Sequence, residues 1–259
     1  MFGGTPTRLA RAFVTRYFRG EAHGARFLGH EFLRPYLLRQ TRPQICPTCL
    51  RLDAKALAAW SISLVTACPI HRLALLDHCV CGRVVSWRRP SIDTCECGRL
   101  LTEAYQPVRQ GDPREISISA QVTYLLDTDQ FHPPFDENLG QFNSVSVDFF
   151  LRLVWIFGII DRDSNGSRAH SANRLLPTSE ASLLCGRAYD RLTRLMDLSR
   201  HSGVVTIHHT ALDALLDECR SVAESQFINS LQSRLNSAFS SNAVDRHRKL
   251  VKQLPLFGD

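Results

Sequence analysis

Residues 45–50 read ICPTCL and residues 67–72 read ACPIHR, so the chain carries two short knuckles that each present a pair of metal-ligating side chains. Two residues separate the members of each pair, and this spacing turns both side chains toward one point. Two such knuckles supply the four ligands of a tetrahedral zinc ion. The sequence therefore predicts a first zinc site, whose ligands are Cys46, Cys49, Cys68 and His71.

A second group of cysteines follows at residues 79–82 (CVCG) and residues 95–98 (CECG). One residue separates the cysteines of each pair, and the glycine that follows tolerates the left-handed conformation that such a turn often needs. Between the pairs, residues 83–87 (RVVSW) have the β-rich composition of a small hairpin. This pattern predicts a second zinc site, whose ligands are Cys79, Cys81, Cys95 and Cys97.

Two other pairings of these ligands are open. His78 can replace a neighbouring cysteine, and the pairs can interleave in a cross-brace. Pairing of knuckles that are adjacent along the chain is simpler, because a short segment does not easily thread itself twice. Each site is complete with four ligands and leaves no position for water, so we expect both zinc ions to be structural rather than catalytic.

The cysteines are strongly clustered, since seven of the nine lie between residues 46 and 97. Such clustering indicates either a disulfide framework or metal sites. Residues 1–13 lack the apolar run and the cleavage site of a signal peptide, which predicts a reducing cytoplasmic environment and favours zinc. We expect no membrane span, because the most apolar stretch, residues 145–160, is too short and contains Asp148 and Arg152.

The sequence predicts a mainly α protein with small zinc-stabilised modules, in which two tandem zinc knuckles or ribbons precede a helical domain. Residues 1–44 are expected to form a basic helical N-terminal segment, with helical periodicity over residues 8–19 and 31–39. Residues 45–108 are expected to form a double zinc-finger module, and residues 109–259 are expected to form a helical C-terminal domain.

Within the first zinc site, a short helix is predicted over residues 53–65, where it would bring the second knuckle back to the first. Trp60 and Leu64 are four residues apart in this segment and are expected to pack over the site.

Three helices are predicted in the C-terminal part of the chain, over residues 147–160, over residues 179–198 and from Thr210 onward. Thr210 and Asp213 approximate a capping box at the start of the third, and apolar residues recur at helical spacing as far as Leu231.

Positive charge is concentrated in residues 1–108, which hold 15 Lys and Arg against 7 Asp and Glu, whereas residues 109–259 hold 16 against 18. Zinc-bound thiolates reduce the formal net charge of +6 to about +3 when both sites are filled. A basic N-terminal half indicates an anionic partner, with nucleic acid as the first candidate.

Arginines flank both zinc sites, and the planar guanidinium group suits bidentate contact with phosphate. The candidate phosphate-binding residues are Arg26, Arg34, Arg39, Arg42, Arg51, Arg83, Arg88, Arg89 and Arg99. The tightest patch is residues 87–90 (WRRP). The alternative is that these arginines form a solvated face without a partner.

The sequence lacks the patterns of the enzyme classes that such residues suggest, so we expect no enzyme. A zinc deaminase needs a His-x-Glu segment, whereas His30 and Glu31 are adjacent. No phosphate-binding glycine loop is present. Cys185 and Cys219 lie on apolar helical faces and are expected to pack in the core. The remaining candidates, expected to be loop or surface histidines, are His201, His208 and His209.

The order of these motifs resembles the TniQ/TnsD family of transposon target-selection proteins. The resemblance is carried by ICPTCL (residues 45–50), by AAWSISLVTACPIHRLALLDHC (residues 58–79), by the CG of residues 81–82 and by the CECG of residues 95–98. Upstream, RPYLLRQTRP (residues 34–43) is similar to the segment that leads into these motifs in the family.

This resemblance implies an adaptor in the cytoplasm of a bacterium. Members of the family recognise a target site, directly on DNA or through an RNA-guided CRISPR effector complex, and recruit an AAA+ ATPase transposition regulator that brings in the transposase. We expect this function here, with two structural Zn2+ ions. The alternative is a zinc-dependent protein-interaction module without direct DNA contact, which salt-dependent binding to random duplex DNA would distinguish.

Overall fold

The computed structural model describes residues 14–19, 22–104, 106–126, 136–159, 176–196 and 215–240. The described residues begin with a three-stranded antiparallel sheet in the order β1 (Thr15–Arg19), β2 (Ala22–Phe27) and β3 (His30–Phe32). Two residues with positive φ, Leu28 at 53° and Gly29 at 87°, connect β2 to β3. Positive φ at both positions is the geometry of the tight hairpin turn that matches strand twist.

The predicted helices over residues 8–19 and 31–39 are wrong wherever the structure describes them, because residues 14–19 and 22–39 contain no α-helix. Strands occupy residues 15–19, 22–27 and 30–32 instead, followed by a 3-10 turn at Pro35–Leu37. Burial alternates along β2, where Ala25 and Phe27 are buried and Arg26 is exposed. A burial period of two residues defines a strand, and the aromatic side chains that suggested a helical stripe also favour strands.

The prediction of a helix over residues 53–65 is wrong, because the helix of this region, α1 (Pro47–Asp53), ends where the predicted one begins. Proline at its first helical position has a favourable backbone angle there, and Ala54, in the left-handed conformation with φ of 50°, ends the helix. The chain then reaches a 3-10 turn at Ala58–Ser61. Trp60 and Leu64 are buried in the core, at 2% and 0% exposure.

Four longer helices follow: α2 (Pro113–Leu126), α3 (Val147–Ile159), α4 (Thr178–Met196) and α5 (Val222–Ser240). The predicted helices over residues 147–160 and 179–198 are confirmed as α3 and α4 over the part that is described. Helix α2 was not among the predicted helices, and a 3-10 segment at Glu137–Ser144 lies between α2 and α3.

The third predicted helix is interrupted, because residues 218–221 are not helical and α5 begins only at Val222. Thr210 and Asp213, the predicted cap, lie outside the described residues. The cap that the structure has uses Ser221, whose Oγ accepts the backbone NH of Glu224 at 3.2 Å, while the Glu224 carboxylate accepts the backbone NH of Arg220 at 2.8 Å. This arrangement resembles a capping box, except that the Glu224 carboxylate accepts the NH of the residue before the cap, and it stabilises the start of the helix at this point.

One hydrophobic core joins the sheet, the cysteine-rich region and the helices. Its centre is α3, packed against α4 so closely that a Cβ on Gly158 would lie 2.4 Å from the Leu184 side chain. Asp148 and Arg152 are buried within α3 and form an ion pair at 3.0 Å. None of the helices in the described ranges combines the length and the apolar character that crossing a membrane requires. The domain boundaries at residues 44 and 108 stay predictions.

Candidate metal centres

The first group of ligands brings together the two knuckles that the sequence suggested. Cys46 is the residue before α1 and Cys49 lies in its first turn, while Cys68 and His71 flank a turn that follows buried residues 62–67. The Nδ1 atom of His71 lies 3.6 Å, 3.2 Å and 3.7 Å from the Sγ atoms of Cys46, Cys49 and Cys68. All four ligand atoms lie within 4.8 Å of one another.

The second group is formed by the two later cysteine pairs. The Sγ atoms of Cys79 and Cys97 are 3.9 Å apart, and those of Cys81 and Cys95 are also 3.9 Å apart. Their four sulfur atoms again lie within 4.8 Å of one another. The chain therefore pairs knuckles that are adjacent in sequence, rather than interleaving them. His78 belongs to neither group, since its Nδ1 atom lies 2.7 Å from a carboxylate oxygen of Asp77.

Both groups fit a tetrahedral metal ion. Zinc with Zn–S bonds of about 2.3 Å holds its sulfur ligands about 3.8 Å apart at the corners of a tetrahedron. The measured separations of 3.6 Å between Cys49 and Cys68, and of 3.9 Å in the second group, are close to that value. Three thiols with an imidazole, and four thiols, are both ligand sets that zinc prefers. Each group can hold a metal ion.

The knuckles that start at Cys68, Cys79 and Cys95 share one backbone pattern. The backbone NH of each of these cysteines donates to a carbonyl four or five residues later, that of Leu73, Arg83 or Arg99. A second NH returns to the cysteine carbonyl, and a third hydrogen bond closes the loop two residues before the cysteine. Cys68 and His71 are separated by two residues, one more than in the later pairs, and this extra residue lengthens only the turn. The three hydrogen bonds around the turn are the same in all three knuckles.

The residue after the second ligand of each of these knuckles has a positive φ. It is 82° at Gly82 and 84° at Gly98, whereas the equivalent position in the first site is Arg72, with φ of 56°. The left-handed region costs a residue with a side chain about 1–2 kcal/mol, and glycine avoids that cost. The two glycines thus fit their turns, and Arg72 occupies its turn with backbone strain.

Each group contains one thiol that is predisposed to ionise. Hydrogen bonds from Cys46 and Cys49 lower the pKa of Cys68 to about 2. Hydrogen bonds with Cys46 and Cys68 raise the pKa of Cys49 far above its ordinary value. In the second group, the backbone NH of Arg99 lowers the pKa of Cys97 to about 7, while burial raises the pKa of Cys95 to about 12. Since metals bind thiolates, Cys68 and Cys97 are the two thiols whose surroundings most favour the ligating form.

The two groups differ in their exposure to solvent. In the first group all three cysteines are buried, at 3% exposure or less. In the second group Cys79 and Cys95 are buried, but Cys81 and Cys97 are exposed. Gln106 supports the buried side, where its Nε2 atom lies 3.7 Å from Cys79 Sγ and donates to the Leu100 carbonyl at 2.7 Å.

Side chains of α2 attach the first group to the helices. The Oγ atom of Ser119 accepts the backbone NH groups of Thr66 and Ala67, at 3.1 Å and 3.2 Å, just before Cys68. Glu115, which is fully buried, accepts the Thr66 hydroxyl at 2.9 Å and pairs with Arg109 at 2.5 Å. Sequence reasoning missed these residues because their partners are some 50 positions away, and no local motif marks them.

Glu115, which links α2 to the segment just before Cys68, is ionised. Burial by itself raises its pKa, but hydrogen bonds from Arg109, Ser182, the backbone of Asp112 and Thr66 outweigh burial and lower the pKa below its ordinary value. Removal of any one of these donors would leave the buried carboxylate less well compensated.

The candidate phosphate-binding arginines fall into two sets. Four are engaged within the protein: Arg26 pairs with Glu31 and Arg34 with Glu218, while Arg39 and Arg89 are buried at 2% and 9% exposure. Arg39 donates to the Leu176 carbonyl, and Arg89 donates to the carbonyls of Ser86 and Ile92. The other five are exposed and make no ion pair with any residue that the structure describes: Arg42, Arg51, Arg83, Arg88 and Arg99.

The remaining sequence candidates have no place in either group. Cys185 is fully buried in α4, and its thiol donates to the Leu64 carbonyl at 3.4 Å. Cys219 packs against the core, but it lies in the turn before α5 rather than on a helix. His201, His208 and His209 lie outside the described residues.

The chain has two groups of four ligands on short knuckles, and both share one core with the helices. It therefore falls in the class of proteins whose small modules are each organised around four Cys or His side chains. Residues 3–75 of the 259 match the family model described as TniQ, so this part of the chain is similar to the TniQ family. The matched segment contains all four ligands of the first group and none of the second. A comparison with curated proteins gave no match.

Proposed function

We propose that the chain is a TniQ-like adaptor for transposition target selection. It engages the target DNA, directly or through an RNA-guided CRISPR effector complex, and it recruits an AAA+ ATPase transposition regulator. It has no catalytic centre of its own and acts in the cytoplasm. The family match supports a role in transposition, and the partners and mode of target engagement are the parts that this proposal adds.

The observation that carries the proposal is the position of the match relative to the first metal group. The matched residues 3–75 include the sheet and all four ligands of that group. The same segment shares one core with the helices, and Ser119 and Glu115 of α2 attach to it directly. Because this family segment is packed on the helices, it can hold two bound partners in a fixed relative position. An adaptor needs that property.

Two structural zinc ions are part of this proposal. Thiolate and imidazole ligands, separations close to those of a zinc tetrahedron and four ligands in each group all favour zinc in a structural role. When bound, the metal supplies a rigid cross-link between knuckles that a small core could not hold by itself.

Co-purification with an AAA+ ATPase transposition regulator tests the adaptor function. We expect the ATPase to bind the zinc-loaded chain, and Cys49→Ser to abolish binding because it removes a buried ligand of the first site. Cys219→Ser is the matched control, since it changes a cysteine that belongs to neither site. Failure of the loaded wild-type chain to bind the ATPase, or to support targeted insertion in a reconstituted reaction, would contradict the proposal.

A zinc-dependent protein-interaction module without direct DNA contact is the second candidate. It is favoured by the engagement of Arg26, Arg34, Arg39 and Arg89 within the protein, which leaves five candidate arginines to solvent. Titration with random duplex DNA at several salt concentrations separates the two candidates. Direct DNA contact predicts an affinity that falls with salt, with a slope that Arg88→Glu reduces. Absence of binding favours the second candidate.

A further inference from the structure

The loop between the two cysteine pairs of the second site displays an exposed tryptophan. Trp87 is 55% exposed, whereas Trp60 is buried and Trp155 packs near Tyr36 with ring centroids 5.3 Å apart. An exposed indole leaves a large apolar surface in water, where it gains nothing for folding. Exposed aromatic side chains held on a rigid frame are typical of binding surfaces.

Hydrogen bonds within the loop hold Trp87 in place. Arg89 is buried, and its guanidinium donates to the carbonyls of Ser86 at 2.6 Å and Ile92 at 3.1 Å, which closes the loop over residues 86–92. The Ser86 hydroxyl donates to Glu96, and the Arg88 backbone NH donates to the Ser86 hydroxyl at 3.1 Å. A loop that is ordered before binding loses little conformational entropy when it binds.

Arg89 also supports the indole from one side. Its guanidinium carbon lies over the Trp87 ring, 5.2 Å from the ring centroid. Arg89 is therefore a positioning residue rather than the phosphate contact expected from the sequence, because its donors are used within the loop. The opposite face of the indole is the one available to a planar partner.

We propose that residues 86–92 form a stacking site for an unpaired base of a single-stranded nucleic acid. The base stacks on the free face of Trp87, and Arg88 binds the neighbouring phosphate. Arg88 is exposed and forms no ion pair within the described ranges, so its guanidinium is available for this contact. A cationic side chain beside an aromatic platform is the combination that single-strand binding surfaces use, and it accepts any base.

Several observations favour an unpaired strand over a duplex or a protein. Bases of a duplex are already stacked on their neighbours and cannot cover the indole face. The acidic side chains of the loop are held by its own hydroxyl groups, Glu96 by Ser86 and Asp93 by Ser91 and Thr94. Arg83 and Arg99 follow the two cysteine pairs, are exposed and add positive charge on the same module. This inference rests on the proposed function and specifies its contact with the target complex.

Binding of fluorescein-labelled dT20 and U20 to the zinc-loaded chain tests the site. We expect both strands to bind more tightly than a 20-base-pair duplex and to quench tryptophan emission. Trp87→Ala should weaken binding about 5- to 150-fold, the range expected for loss of one base–aromatic stack, and Trp87→Phe should retain most of the affinity. Arg88→Ala should reduce the slope of log affinity against log salt by about 0.7, as expected for one lost phosphate contact on a single strand.

Phe18→Ala is the matched control, because Phe18 is an aromatic side chain of 70% exposure on β1. It should leave dT20 binding unchanged, and all variants should retain two zinc ions. The inference is overturned if neither strand binds at up to about 100 μM protein, or if Trp87→Ala binds as the wild type does. Tighter binding of the duplex also overturns it. Intact ATPase recruitment without strand binding rejects this inference alone, whereas strand binding without recruitment rejects the adaptor proposal alone.

Discussion

The two groups of metal ligands differ in how deeply they are buried in the protein. In the first, all three cysteines are buried, a helix begins beside Cys46, and the backbone NH groups of Thr66 and Ala67 donate to Ser119 of α2. The second is at the surface, where two of its four cysteines are exposed and its knuckles are short turns around Gly82 and Gly98. The same knuckle backbone therefore serves two purposes, since one site is part of the folding core and the other builds a surface loop.

The largest expected effect is the difference between losing a ligand of each site. Cys49→Ser should remove one zinc ion and the cooperative unfolding transition of the whole chain, because structural zinc is worth about 10–16 kcal/mol and all three cysteines of this site are buried. Cys97→Ser should remove the other zinc ion but leave the helical circular dichroism in place. Metal content by mass spectrometry and limited proteolysis check this. If proteolysis of Cys97→Ser extends beyond residues 77–104, the contrast between the sites is wrong.

Removal of metal by a chelator should separate the two sites in time. The second zinc ion, reached through exposed Cys81 and Cys97, should be released quickly, and the first should be released only as the core opens. Strong chelators at equilibrium should unfold residues 45–100 and, through loss of the first site, the core that is packed on them. A colorimetric zinc indicator should record two phases of equal amplitude, and Cys97→Ser should lack the fast phase. A single phase, or an unchanged far-ultraviolet signal after complete removal, contradicts this prediction.

Glu115→Gln should weaken the attachment of the first site to α2 by about 1–3 kcal/mol at neutral pH, since it disrupts a buried network of charged hydrogen bonds. The pKa of Glu115 is lowered in the folded chain, so the carboxylate contributes fully above its unfolded pKa of about 4.3 and its contribution is lost as the pH falls through the folded value. The stabilities of wild type and variant should therefore converge in acid.

Urea unfolding from pH 7 downward measures this convergence, with both chains compared at each pH so that any common loss of metal cancels. Glu180→Gln is the control, because Glu180 is exposed on α4 and should change the stability little at any pH. A difference between Glu115→Gln and wild type that stays constant across the series would show that ionisation of Glu115 is not its source.

The smallest expected effects come from substitutions at the residue with positive φ that follows the second ligand of a knuckle. Gly82→Ala should destabilise the chain by about 1 kcal/mol, because a side chain is strained at φ of 82°. Arg72→Gly relieves the same strain at φ of 56°, but glycine also increases the entropy of the unfolded chain by about 0.4–1 kcal/mol. The net gain should therefore be about 1 kcal/mol or less. Thermal unfolding of both variants checks the signs, and a gain for Gly82→Ala would contradict the account of the shared turn.

The ligands could be identified from the sequence because their spacing is local. Two ligands separated by one or two residues must point toward one place, whatever the rest of the chain does. Helices α3 and α4 were also predictable, since their apolar residues repeat over enough turns to distinguish a helix from a strand. The strands β1 to β3 were not, because short aromatic-rich segments satisfy both periods over five or six residues.

By itself, the sequence predicted eight ligands in two groups, with helices after them and a family resemblance, while the role of His78 and the pairing of the knuckles stayed open. Only the tertiary structure decided that the first group is inside the core, that Ser119 and Glu115 attach it to α2, and that Arg89 supports Trp87 while Arg88 stays free. The physical reason is the range of the interactions. Ligand geometry is set by residues next to one another, whereas burial and hydrogen-bond partners are set by segments that meet only when the chain has folded.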